Sequence, residues 1–172
     1  MQAMSKTPEA TIVRIPKFRA VSSGYQDYDG AVNKFMGWLW RNGPDTIPMA
    51  NIIFDNGDFM LYDGRNGDNN LNWVRAVQDS VTNNDVAPYG LSEFEGGLYA
   101  VAPSIDNDVE SIIAVVGKTH AWVNTSGFIY DEDRGHQNMK QMIYFSDDGE
   151  YSDLLKGLGY VQTMIYVPVK LK

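Results

Sequence analysis

The sequence predicts an α+β protein with antiparallel sheets and helices packed on one side, built as two pseudo-symmetric strand-helix-strand-strand modules. Three observations predict it. A strand-like run through Pro16-Lys17-Phe18-Arg19-Ala20-Val21 leads into a helical stretch holding Trp38 and stopping at Gly43, and Glu95 to Val101 leads into a second holding Trp122 and stopping at Gly127. The Val-to-Trp spacings of the two copies differ by four residues, close to one helical turn. The segments that follow each helix alternate as strands do. Such a duplication implies two similar sheets about a pseudo-twofold axis, with a cleft between the repeats as the natural place for a ligand.

Each element has its own warrant. Thr11 to Tyr25 is β-branched and alternating, with Pro16 as an edge or bulge in one strand. Asp27 or Asp29 can cap the next helix, whose Val32, Phe35, Met36 and Leu39 share one face until Asn42-Gly43-Pro44 ends it. Met49 to Phe54 and Phe59 to Tyr62 form a hairpin around Asn56-Gly57. Leu71 to Val81 stays open: Leu71, Trp73, Arg75 and Val77 alternate as in a strand, while Leu71, Val74, Val77 and Val81 approximate a helical face.

In the second half, Glu93 to Ala102 is the leading strand, and Pro103, Ser104, Asp106 and Asn107 supply helix-start chemistry. Val109, Ile112, Ile113 and Val116 predict the buried face of that helix. Met139 to Phe145 and Gln162 to Leu171 read as the closing strands. Residues 1–10 are expected to be a flexible tail, and 11–172 a single domain of two repeats, about 11–90 and 91–172.

Composition narrows the function. The 172 residues carry 14 Lys and Arg against 22 Asp and Glu, a net charge of −8 without a basic cluster, so direct nucleic-acid binding is not expected. There are no cysteines, which suits a cytoplasmic location, and no apolar run long enough to span or leader-like start, so no membrane association is expected. His120 and His136 lack partners at ligand spacing, and Asp63-Gly64-Arg65-Asn66-Gly67-Asp68 puts Arg and Gly where a calcium loop needs oxygen. No metal and no cofactor is expected, and no Gly-x-Ser-x-Gly nucleophile is present.

Glu93-Phe94-Glu95-Gly96-Gly97-Leu98-Tyr99-Ala100-Val101 and Ile165-Tyr166-Val167-Pro168-Val169-Lys170 resemble the GyrI-like small-molecule-binding domain, the effector-binding domain of bacterial AraC-type and MerR-type multidrug regulators. The resemblance implies two strand-helix-strand-strand modules with an organic ligand held between them by aromatic side chains. It makes Gly96-Gly97 the tight turn before the strand carrying Tyr99. About ten residues precede the first strand, too few for a helix-turn-helix, so a stand-alone module is expected. The family's Glu-x-Tyr pattern, whose buried carboxylate meets cationic drugs, falls on Met142-Ile143-Tyr144. A thioether neither holds a cation nor accepts a proton, though it packs well on aromatic ligands.

The candidate ligand-binding residues are therefore Trp40, Trp73, Tyr99, Trp122, Met142 and Tyr144, each of which could instead be core. Trp40 and Trp122 stand near helix ends that would border the cleft, and Trp38 lies off the predicted stripe. The expected function is capture of an apolar or aromatic organic molecule, with no catalytic residue. Two alternatives remain open: a hydrolase of cyclopropane-containing xenobiotics, as some family members resemble, with Glu93, Glu95 or Glu110 replacing the lost carboxylate, and a protein-interaction module with a filled cleft.

Overall fold

Pro16 lacks the N–H that would continue a ladder, and the chain changes partners there. Thr11–Ile15 (β1) and Phe18–Ser22 (β2) are separate strands, where the sequence predicted one. The computed structural model describes residues 9–50, 52, 57–64, 70–142 and 157–172. After β2 the elements are α1 (Phe35–Thr46), entered through a π-helical turn at Asp29–Lys34, β3 (Asp58–Asp63), β4 (Asn70–Ala76), β5 (Gly90–Phe94), β6 (Gly97–Ile105), α2 (Val109–Thr125), β7 (Phe128–Tyr130), β8 (Asn138–Met142) and β9 (Gln162–Leu171). This is an α+β fold of antiparallel strands, with helices α1 and α2 among the described residues. Each helix follows a pair of strands rather than one, because the second leading strand also divides, at Gly96. Among the described residues the run after α2 carries one strand more than the run after α1, so element order alone does not establish two copies of one module.

The chain forms two compact units. An N-terminal unit holds Ile15–Gly97 and Gly135–Met139; a C-terminal unit holds Leu98–Arg134 and Lys140–Lys172 together with the chain up to Arg14.

In the N-terminal unit the strands run in the order β3-β4-β2-β5, every neighbouring pair antiparallel. Residues 71–76, ambiguous by periodicity, are strand: β4 is paired on both edges and leaves a helix no backbone to bond. Phe18 sits opposite Phe94 with ring centroids 4.7 Å apart, Phe59 lies 5.8 Å from Phe18, and His136 stacks on Phe94 at 5.9 Å. His136, expected in a polar loop, is buried by that stack. Arg19 donates to the carbonyls of Asp79 and Val81 and ties down the loop after β4.

Helix α1 departs from the predicted stripe. Asp27 caps as expected, its Oδ1 accepting from the Gly30 N–H at 2.8 Å. The π-helical turn then shifts the helical phase, and Trp38 joins Phe35, Met36 and Leu39 in the core while Val32 is only partly buried. Trp38 packs against Tyr89 with centroids 4.8 Å apart, and Trp40 is 75% exposed on the opposite side. The expected stop is a kink at Gly43, φ +64°. Of the predicted first hairpin, residues 51 and 53–56 lie outside the described residues; Met49 bridges to Val77.

In the C-terminal unit β6 lies between β1 and β9, and β9 pairs β6 over most of its length and β7 at its end. Ala100, Ala102, Val123, Val169 and Ala10 form a core under α2, with Val115, Trp122 and Phe128 packed on it. The helix starts later than predicted. β6 runs through Pro103 to Ile105, and Asp108 is the N-cap, accepting from the Ser111 N–H at 2.9 Å. The predicted buried face also shifts: Val109 and Ile113 are 67% and 66% exposed, while Thr119 and Val123 are buried. The inward stripe instead runs through Ser111, Ile112 and Val115 to Thr119 and Val123, and Ser111 Oγ bonds Ser104 and the Ile105 N–H of β6, so Val109 and Ile113 turn outward.

Gly96 sets the β5–β6 turn. Its φ is +69°, and a Cβ there would stand 2.3 Å from the Ile15 carbonyl oxygen and 2.6 Å from that of Pro16, backbone atoms that cannot step aside. Gly96→Ala is expected to destabilise the protein by more than about 2 kcal/mol, while Gly90→Ala, where a Cβ meets open space, stays within about 0.5 kcal/mol. Urea denaturation with equal losses in both variants would contradict this account of the turn.

Candidate functional site

The β3–β4 hairpin determines what faces what in the N-terminal unit. Asp58 lies opposite Arg75, Met60 opposite Trp73 and Tyr62 opposite Leu71. Directly opposed residues on antiparallel strands share a face, as do residues two apart on one strand, so these six side chains occupy one face. The phenol of Tyr62 donates to the Met60 sulfur at 3.0 Å. Arg75 Nε and Nη2 donate to Asp58 Oδ1 and Oδ2, both at 2.7 Å, a two-pronged pair in which Asp58 is buried and Arg75 nearly so. Beside them Trp73 is 4% exposed, and its Nε1–H has no hydrogen-bond acceptor among the described residues. A buried donor left unmatched is uncommon in folded proteins and disfavoured by about 1–3 kcal/mol. The face therefore presents an indole donor, a thioether and a phenol, with its charges neutralised internally.

The C-terminal unit has a second aromatic face. Tyr99 and Tyr166 lie on the side of the β6–β9 ladder opposite the core under α2, with centroids 6.0 Å apart and rings nearly perpendicular. Tyr166 donates to Gln141 Oε1 at 2.5 Å. The Arg134 guanidinium stands over the Tyr99 ring, 5.0 Å from its centroid, and bonds Asp131. Burial pushes the Tyr99 phenol up to about 12 despite the nearby Arg134 charge, and burial also raises Tyr166. Both phenols are neutral near pH 7 and serve as hydrogen-bonding groups rather than bases. Burial disfavours the charged form of Asp131, but hydrogen bonds from Arg134 and Lys170 outweigh it and hold the carboxyl below the usual range.

The predicted site residues are scattered. Trp73 and Tyr99 are buried on sheet faces. Trp122 packs with the core under α2, on the other side of the sheet from Tyr99, and Trp40 faces outward. Met142 ends β8, with its side chain outside the described residues, as is all of Tyr144. Sequence reasoning missed Asp58, Met60, Tyr62, Arg134, Gln141 and Tyr166. The first three were within reach: Asp58, Met60 and Tyr62 alternate as Leu71, Trp73 and Arg75 do, and a strand at 71–76 would have matched the two series. Among the described residues no group of three His, Cys, Asp or Glu is placed to hold a metal ion, and no helix is long and apolar enough to cross a membrane.

The fold is remotely similar to GyrI-like and MerR-type effector-binding folds, and proteins described as hydrolases share it. The C-terminal domain of EcmrR matches 95% of this chain, and 98% of its own length is covered, at 14% identity and a TM-score of 0.62. The EcmrR chain in its DNA complex matches at 14% identity and a TM-score of 0.65 over 95% of this chain, which spans 57% of that longer one. A hydrolase from Listeria innocua matches at 16% identity and a TM-score of 0.63, over 96% of this chain and 94% of its own. Identities this low establish the fold alone. No protein-family model and no curated protein sequence matches the chain.

The Asp58–Arg75 pair supports the whole β3–β4 face. Arg75→Met is expected to destabilise by about 3 kcal/mol, because it strands a buried carboxylate, and the double variant Asp58→Leu/Arg75→Met to recover most of the loss. Urea denaturation of wild type, single and double variants checks this; a single variant as stable as wild type contradicts it.

Proposed function

We propose that this protein is a binding module for an apolar or aromatic organic molecule, and that Trp73 is its principal contact. The observation that carries the reading is the buried Trp73 indole, whose N–H lacks an acceptor among the described residues, flanked by the Met60 thioether and the Tyr62 ring. Thioether and aromatic surface suit flat organic ligands, and one directional donor among them is the composition of a typical small-molecule site. Tyr99 contributes in its own unit, as a neutral phenol on a buried aromatic face. Likeness in fold to the C-terminal domain of EcmrR, a DNA-binding protein, is compatible with such a role. An enzymatic reading, suggested by the Listeria innocua hydrolase, needs a carboxylate able to take a proton. On this face the carboxylate is Asp58, and Arg75 occupies both its oxygens.

Titration with neutral aromatic compounds such as Nile red, following tryptophan fluorescence, tests the proposal. Saturable quenching is expected; Trp73→Leu should weaken binding at least about tenfold by removing aromatic contact and the donor together, and Trp40→Phe should leave it unchanged. No saturable quenching by any member of the panel would overturn the reading.

A further inference from the structure

The β3–β4 face carries an inference about the class of ligand, which rests on the function proposed above and deepens it. We propose that the ligand is a neutral aromatic compound bearing a carbonyl-type oxygen, which accepts a hydrogen bond from Trp73 Nε1–H. Indole has one polar atom, and it can only donate, so the group it lacks is an acceptor and never a cation. Buried at 4% exposure, that N–H is removed from bulk water, and among the described residues it meets no acceptor; Met60, directly opposite, receives the Tyr62 hydroxyl on its sulfur. The Trp73 backbone is occupied separately, its N–H donating to Ser23 Oγ and its carbonyl accepting from the Ser23 N–H. Among the described residues the donor left without an acceptor is therefore the side chain's alone.

Charge on the same face decides against a cationic ligand. A carboxylate with uncompensated charge would strengthen a site for cations, and Asp58 gives both oxygens to Arg75 at 2.7 Å. Breaking that pair to meet an incoming cation would strand a largely buried guanidinium, a larger loss than the new contact returns. A carbonyl on an aromatic frame requires no such exchange: its oxygen accepts from the indole, while its rings lie against the thioether and aromatic surface.

The matched pair 9-fluorenone and fluorene, which differ by one carbonyl oxygen, tests the proposal, with N-methylacridinium as a cation of similar shape. Wild type is expected to bind fluorenone about three- to tenfold more tightly than fluorene, the range for one neutral hydrogen bond. Trp73→Phe, which keeps an aromatic ring, should remove that preference and leave fluorene affinity within about twofold. In ¹H–¹⁵N spectra the indole resonance absent from Trp73→Phe should move downfield with fluorenone and not with fluorene. Equal affinity for the two, a preference that survives Trp73→Phe, or tightest binding of N-methylacridinium overturns the ligand class while leaving the binding function standing. Failure of all three compounds, and of the wider neutral panel, overturns both.

Discussion

The charge pair between Asp58 and Arg75 is the constraint on which the candidate site depends. Alternation alone settles which face of a strand is buried, because a slip of one residue turns every side chain over. It does not exclude a slip of two, which preserves the faces and changes only the partners. In the β3–β4 ladder such a slip would place Arg75 opposite Met60 or beyond the end of β3, leaving buried charges without partners. The observed register is the one that joins the two charges, and it also sets Trp73 beside Met60 and Leu71 beside Tyr62. The polar pair, two residues along each strand from Met60 and Trp73, positions an otherwise apolar surface.

Backbone requirements place the strand boundaries. Pro16 interrupts one ladder and Gly96 occupies a conformation and a space closed to other residues, so the chain turns at both points. The Gly96-Gly97 turn, the interruption at Gly43, the antiparallel character and the closing strand were all legible, since each depends on residues close in sequence. The division of Thr11 to Ser22 between two ladders was not, because β1 finds its partner in β6, far along the chain. Nor was the exchange of roles between Trp38 and Trp40, which follows from a π-helical turn that no periodicity rule anticipates. The outward turn of Val109 and Ile113 was hidden too: they have the spacing of a buried face, but so does the neighbouring stripe of Ile112, Val115, Thr119 and Val123, which is the one that packs. Of the candidate site, Trp73 and Tyr99 were singled out from the sequence, and the neighbours that surround them required the strand register.

A shared fold leaves the chemistry undecided, since domains of DNA-binding proteins and proteins described as hydrolases both adopt it. The side chains narrow the choice. The phenols of Tyr99 and Tyr166 are held neutral by burial, and the Asp58 carboxylate is engaged by Arg75. Such groups orient a bound molecule well and transfer protons poorly. The resulting surfaces are aromatic, charge-compensated and supplied with a few directional hydrogen-bonding groups, the features on which the proposed binding role rests.

The central claim is that Trp73 serves a ligand rather than the core alone, and a crystal structure of the protein soaked with 9-fluorenone tests it most directly. The account predicts the ketone oxygen about 3 Å from Trp73 Nε1, with the rings against Met60 and Tyr62 and the Asp58–Arg75 pair intact. Trp73 Nε1 bonded to another protein group, with the ketone bound elsewhere, would contradict it.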